Sequence, residues 1–145
     1  MAAPPSHSLV GKTLHRYRLV ELVGEGGMAS VYLARADGLG GFRKWVAIKV
    51  MHAELAAQPH MASMLLDEAR LAGSIMHPNV VNVFDVGREG DIHWIAMEYL
   101  NGEALRDVLV IGSEDSKKQL PVELAAYIVA EAAEGLHAAH ELRDD

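Results

Sequence analysis

Two periodicities divide the chain. Residues 17–23 (YRLVELV) are rich in β-formers and end at glycine, which predicts a strand. Gly24-Glu25-Gly26-Gly27 follows as a turn, and residues 30–34 (SVYLA) read as a second strand. Beyond the loop at residues 37–41 (DGLGG), residues 44–51 (KWVAIKVM) read as a third. Three strands joined by two short loops predict an antiparallel meander. From residue 58 to residue 76 the period changes. Met61, Met64, Leu65, Glu68, Ala72 and Ile75 fall on one helical face. Pro59 stands near the start of this helix, and His77-Pro78 ends it, because a residue before proline is pushed out of the α region. Residues 80–86 and 92–99 read as two further strands around a turn at residues 88–91. The first hundred residues therefore predict β-β-β-α-β-β, a twisted antiparallel sheet with one helix packed on it.

After Asn101-Gly102 the character becomes helical. A short helix is predicted over residues 103–111, a polar loop over 112–119, and a long alanine-rich helix from Pro121 to about residue 142. Leu124, Ile128, Ala132, Leu136 and Ala139 form an apolar stripe on the long helix. The change at residues 100–103 predicts a hinge between two regions.

Composition narrows the function classes. With 145 residues, half of them apolar, the chain has material for a core and is not a disordered sequence. It holds no cysteine, which excludes disulfides, thiolate metal sites and cysteine nucleophiles and suits a cytoplasmic location. The net charge of −7 argues against nucleic acid as a partner. No apolar run has the length of a membrane span. Residues 1–9 lack the basic and apolar regions of a signal peptide, and residues 1–16 read as a flexible leader. Residues 1–50 carry seven basic and three acidic side chains, whereas the remainder is strongly acidic. That basic third suits an anionic ligand, though a solvated, unevenly charged surface has the same signature.

Three features carry candidate chemistry. Gly24-Glu25-Gly26-Gly27-Met28-Ala29 matches G-x-G-x-x-A, in which glycines let backbone N–H groups approach a phosphate. A plain hairpin turn and a nucleotide loop both remain open on this segment alone. A dinucleotide-binding fold is disfavoured, because a strand follows instead of a helix and no acidic residue stands about 20 positions on. Lys49 lies in a strongly apolar strand, sharing one face with Trp45, Ala47 and Met51. Glu68 falls within the helix's apolar stripe, where a carboxylate needs a cation unless it sits at the stripe's edge and meets water. Lys49 is the best-placed partner, because the helix must pack on the sheet that carries it. A glycine hairpin above a lysine held by a glutamate would aim an ammonium at phosphate oxygens.

At this point the sequence resembles the N-terminal half of a protein kinase domain, in particular the bacterial eukaryotic-like serine/threonine kinases. Residues 24–31 are similar to the family's glycine-rich loop, and Val46-Ala47-Ile48-Lys49 to its V-A-I-K tetrapeptide. Glu68 matches the glutamate of the helix the family calls αC. His77-Pro78-Asn79-Val80-Val81 resembles the segment after that helix, Met97-Glu98-Tyr99-Leu100 the gatekeeper and hinge, and Leu136-His137-Ala138-Ala139-His140 the end of αE.

The resemblance implies an α+β fold: a five-stranded antiparallel N-lobe with αC over residues 17–100, then αD-like and αE-like helices of an incomplete C-lobe over residues 101–145. It implies ATP as ligand. Val23, Gly24, Glu25, Gly26, Gly27, Met28 and Ala29 would lie over the nucleotide, and Lys49 would contact its α- and β-phosphates. Val31 and Ala47 would cover the adenine, Met97 would limit the depth behind it, and the backbone of Glu98 and Leu100 would bond its edge. Lys49 and Glu68 are the implied catalytic pair. Ala29 replaces the third glycine, which implies tuning of the loop.

The family's H-R-D-x-x-x-x-N and D-F-G segments, which supply the base and the Mg²⁺ ligands, are not among these residues. The 145 residues are therefore expected to be inactive alone, with a protein as the parent's substrate. Asp85-Val86-Gly87, Arg106-Asp107 and Arg143-Asp144 are near matches that read as surface charges or turns. A non-catalytic half-kinase binding module remains an alternative, with the stripe on the last helix predicting a partner or self-association.

Overall fold

The computed structural model describes residues 9–114 and 120–142. Residues 1–8, most of the predicted polar loop, and Arg143-Asp144 lie outside the described residues. The chain divides into two units. The first holds the described residues up to Ser74 together with residues 81–99; the second holds residues 75–80 and those from Leu100 onward.

The first unit is one antiparallel sheet of six strands: β1 (Thr13–Leu14), β2 (Tyr17–Glu25), β3 (Ala29–Asp37), β4 (Arg43–Met51), β5 (Val83–Glu89) and β6 (Ile92–Glu98). Their order is β1-β2-β3-β4-β6-β5, so β2, β3 and β4 form the expected meander. The β3–β4 connection turns through Gly40 and Gly41, both at positive φ, where glycine carries no side-chain penalty. Helices α1 (Ala53–Ala56) and α2 (Pro59–Ser74) connect β4 to β5.

Period-two alternation splits the core between the two faces of the sheet. Tyr17, Leu19, Tyr32, Val46, Ile48, Val50 and Trp94 cluster on one face, and Met51 and Ile95 meet Leu65 and Ala69 of α2 on the other. Fully burying a side chain such as Ile48 contributes about 1.5–3 kcal/mol. The sheet curls around the first cluster until its ends meet. Tyr17 Oη donates to Asp85 Oδ2 at 3.1 Å, and the His15 N–H donates to Glu89 Oε2 at 2.8 Å, joining β2 and the β1–β2 turn to β5.

Four expectations for this first unit require correction. The sheet has six strands, not five, because β1 adds a pair too short to display a period. Residues 9–16 are not a free leader: Leu14 is buried in the core, and the Gly11 N–H donates to Leu19 O at 2.8 Å. The buried line of α2 runs through Met61, Leu65 and Ala69, whereas Met64 is 52% exposed. The stripe is thus rotated by one position, which puts Glu68 at its edge. Asp85-Val86-Gly87 is structural, since Asp85 anchors Tyr17 and a Cβ on Gly87 would enter the Trp94 indole, 2.7 Å from Cε2.

The second unit contains α3 (Leu105–Glu114) and α4 (Val122–His140). Residues 112–114, expected in a loop, are the end of α3. The α4 stripe is also rotated from expectation. Gly135 is its buried residue, seated against Asn79 and Val80, while Leu124 and Leu136 are exposed. A Cβ there would lie 3.1 Å from Asn79 O, a tight contact that the small residue avoids.

Candidate functional site

Strand register assembles the predicted residues of the first unit. Val31 is the cross-strand partner of Lys49, and Lys49 of Ile95; Ala47 pairs with both Leu33 and Met97. Opposed residues point to the same face, so Val31, Ala47, Lys49 and Met97 share the face that α2 covers in part. Gly24 pairs with Val31 across β2 and β3, which sets the glycine turn at the edge of the same area.

Lys49 Nζ lies 2.7 Å from Glu68 Oε1. The lysine side chain is 28% exposed and the glutamate 57%, so the pair lines a surface instead of being sealed in the core. An ammonium held by a carboxylate in this way keeps further donors for a second anion.

The glycine turn closes with the Gly26 N–H donating to Ala29 O at 2.9 Å. Gly24, Gly26 and Gly27 all lack positive φ. A Cβ on Gly27 would meet nothing within 4 Å, and on Gly26 only an ordinary contact. The local fold does not itself demand glycine at either position. Val23 and Met28 beside them are largely exposed, and Ala29 is buried. At the end of β6, the Glu98 N–H donates to Asn82 O at 2.8 Å. Leu100 belongs to the second unit.

The basic first third does not converge on this site. Only Lys49 joins it. Arg35, Arg43 and Lys44 stand at the other end of the β3–β4 ladder, where Asp37 pairs with Arg35 at 2.9 Å and Arg43 at 4.0 Å. A hollow of about 280 Å³ opens there beside Tyr17, Phe42, Lys44 and Phe84, and none of the predicted site residues lines it.

Asn79 was identifiable as part of a motif, but not by its contacts. Its Nδ2 donates to Glu131 O at 2.9 Å and to Glu131 Oε2 at 2.7 Å, fastening residues 75–80 to α4 within the second unit. No helix among the described residues is long and apolar enough to cross a membrane.

Comparison with known proteins agrees with this geometry. The protein kinase domain family model matches residues 17–143. The chain is 42% identical over 141 residues to the serine/threonine-protein kinase pkn2 of Myxococcus xanthus, covering 97% of this chain and 15% of that protein. It is 37% identical over 129 residues to the tyrosine-protein kinase MasK of the same species, covering 89% and 20%. Among solved structures, the kinase domain of PknI from Mycobacterium tuberculosis superposes with a TM-score of 0.71 at 30% identity, over 91% of this chain and 51% of that one. The chain thus spans about a fifth or less of these curated relatives and about half of the solved kinase domain. The family model over residues 17–143 and the shared fold show that the chain belongs to the protein kinase domain family.

Proposed function

We propose that these residues form the ATP-binding part of a serine/threonine protein kinase whose reaction moves the γ-phosphoryl group of ATP to a protein hydroxyl. The observation that carries this reading is the 2.7 Å Lys49–Glu68 pair, set on one sheet face with Val31, Ala47 and Met97. Lys49 would neutralise the α- and β-phosphates, with Glu68 fixing its direction and favouring its charged form. Val31 and Ala47 would cover the adenine, and Met97 would bound the space behind it. The backbone of Glu98 would bond the adenine edge. The backbone of residues 24–29 would lie over the phosphates. Glycines that the local fold does not require there suit a phosphate lying against the main chain.

Mg²⁺ would arrive with ATP, and no residue of this chain is assigned to it. Without H-R-D-x-x-x-x-N and D-F-G segments, these 145 residues bind nucleotide and do not transfer phosphate alone. The serine/threonine preference follows the greater number of similar relatives; MasK is named a tyrosine kinase.

Calorimetric titration with ATP tests the reading. Saturable binding that Lys49→Met weakens at least about tenfold is the expected result. Absence of ATP binding by a folded chain overturns it, and Mg²⁺-dependent phosphate incorporation sensitive to Lys49→Met overturns the inactivity.

One observation favours a second reading, a non-catalytic module acting through α4. Val122, Val129 and Leu136, seven residues apart on one face of that helix, are each more than half exposed. Such a surface suits a protein partner or a second copy. A strictly monomeric chain in sedimentation counts against self-association.

A further inference from the structure

Ser30 has 1% of its surface exposed, and its Oγ lies 3.0 Å from His52 Nε2. A hydroxyl suits this position, because it donates to a bare imidazole nitrogen and accepts from a protonated one. His52 follows the last residue of β4, and its backbone makes three further bonds. Its N–H donates to Met28 O at 3.0 Å, and its carbonyl accepts from the N–H groups of Leu55 and Ala56 at 3.0 and 2.9 Å.

The β3–β4 ladder ends at the Ala29–Met51 pair. His52 therefore extends the ladder by one bond to the glycine turn, and its ring clamps the returning strand. Its carbonyl starts α1. Leu55 and Ala56 of α1 pack against the cluster of Met51, Ile95, Leu65 and Ala69, the last two on α2, the helix that carries Glu68. One residue thus ties the turn to the helical layer that orients Lys49.

We propose that His52, through Ser30 and Met28, is a positioning residue that holds the glycine turn at the height needed to cover the phosphates of ATP. The proposal rests on the nucleotide reading above. Loosening the clamp lets the turn rise, which weakens contacts to the phosphate tail and spares those to the nucleoside.

The test compares the chain with its His52→Ala, Ser30→Ala and His52→Gln variants, using titration with ATP and with adenosine and amide hydrogen exchange over residues 25–29. Both alanine variants should weaken ATP binding by about threefold to tenfold, the range for one lost hydrogen bond, with adenosine binding unchanged. Exchange over residues 25–29 should accelerate. The His52→Gln amide can still reach Ser30 Oγ and should restore most of the ATP affinity and protection. ATP and adenosine weakened equally, or an alanine variant with unaltered ATP affinity, would overturn the positioning role while leaving the nucleotide reading intact. A folded parent that binds neither ligand overturns the nucleotide reading, and the proposal falls with it.

Discussion

Lys49 donates to Glu68 at 2.7 Å from a strand to a helix, and the glutamate remains more than half exposed. The pair is therefore a solvated clamp whose value lies in orientation. Solvent screening limits an exposed ion pair to about 0–1 kcal/mol of stability. Glu68→Gln should shift the urea unfolding free energy by less than about 1 kcal/mol. On the nucleotide reading, Lys49→Met would also remove a charge-assisted contact to phosphate, worth about 1.5–3 kcal/mol, and should lower ATP affinity at least about tenfold. Unfolding curves and calorimetry on the same samples separate the two effects.

The glycines give a contrasting pair. Gly87→Ala drives a methyl group into the buried Trp94 ring, and overpacking of this kind costs about 1–3 kcal/mol or more. The unfolding midpoint should fall, with altered Trp94 fluorescence in the native state. Gly27→Ala meets open space, so stability should stay within about 0.5 kcal/mol. If a phosphate lies against that backbone, the same variant still weakens ATP binding. Unchanged ATP affinity would remove the functional reason for glycine at that position.

In the second unit, Asn79→Ala removes two bonds to Glu131 and leaves the glutamate solvated. A net hydrogen bond contributes about 0.5–1.5 kcal/mol, so the loss should be about 1–2 kcal/mol. Faster amide exchange in the middle of α4, with the sheet's exchange unaltered, would locate the effect in this unit.

Alkaline pH should unfold the first unit through two tyrosines. Burial pushes the Tyr17 phenol above its ordinary value of 10.0; Arg16 opposes the shift and Asp85 adds to it. Burial first, then Glu25, raises Tyr32 as well. Each therefore keeps its proton longer in the folded chain than in the unfolded one. The associated stability is fully present below the unfolded value and is lost as pH climbs from about 10 through the folded values. Each tyrosine adds a slope of at most about 1.4 kcal/mol per pH unit in that window. Tyr17→Phe should flatten the alkaline limb and, having lost the bond to Asp85, lower stability near neutrality by about 1 kcal/mol. Denaturant titrations across the alkaline range measure both.

Most elements and the central pair were legible in the sequence for one reason: local pattern carries them. Runs of β-formers between turns marked β2, β3, β4 and β6, and period-two alternation put Lys49 on the face opposite Val46, Ile48 and Val50. A lysine within an apolar strand exposes its need for a partner, and the match with Glu68 stands even though Glu68 lies at the edge of the buried line of α2 and not within it. Where pattern is short or small residues compete, it misleads. The two residues of β1 carry no period, and the buried lines of α2 and α4 shifted because Ala69 and Gly135 face the core in places where larger side chains had been expected.

Only the tertiary structure decided which distant residues meet. Ser30 finds His52 across 22 positions, Asn79 finds Glu131 across 52, and Tyr17 finds Asp85 across 68. None of these pairs has a local periodicity, because each depends on strand register, on the curl that brings β2 to β5, or on how α4 seats against residues 75–80. The basic first third shows the same limit. Its charges are neighbours in sequence, but antiparallel pairing carries Arg35, Arg43 and Lys44 to the far end of the sheet and leaves Lys49 alone at the site, since a strand spreads consecutive charges along its length while its partners fix where each one arrives.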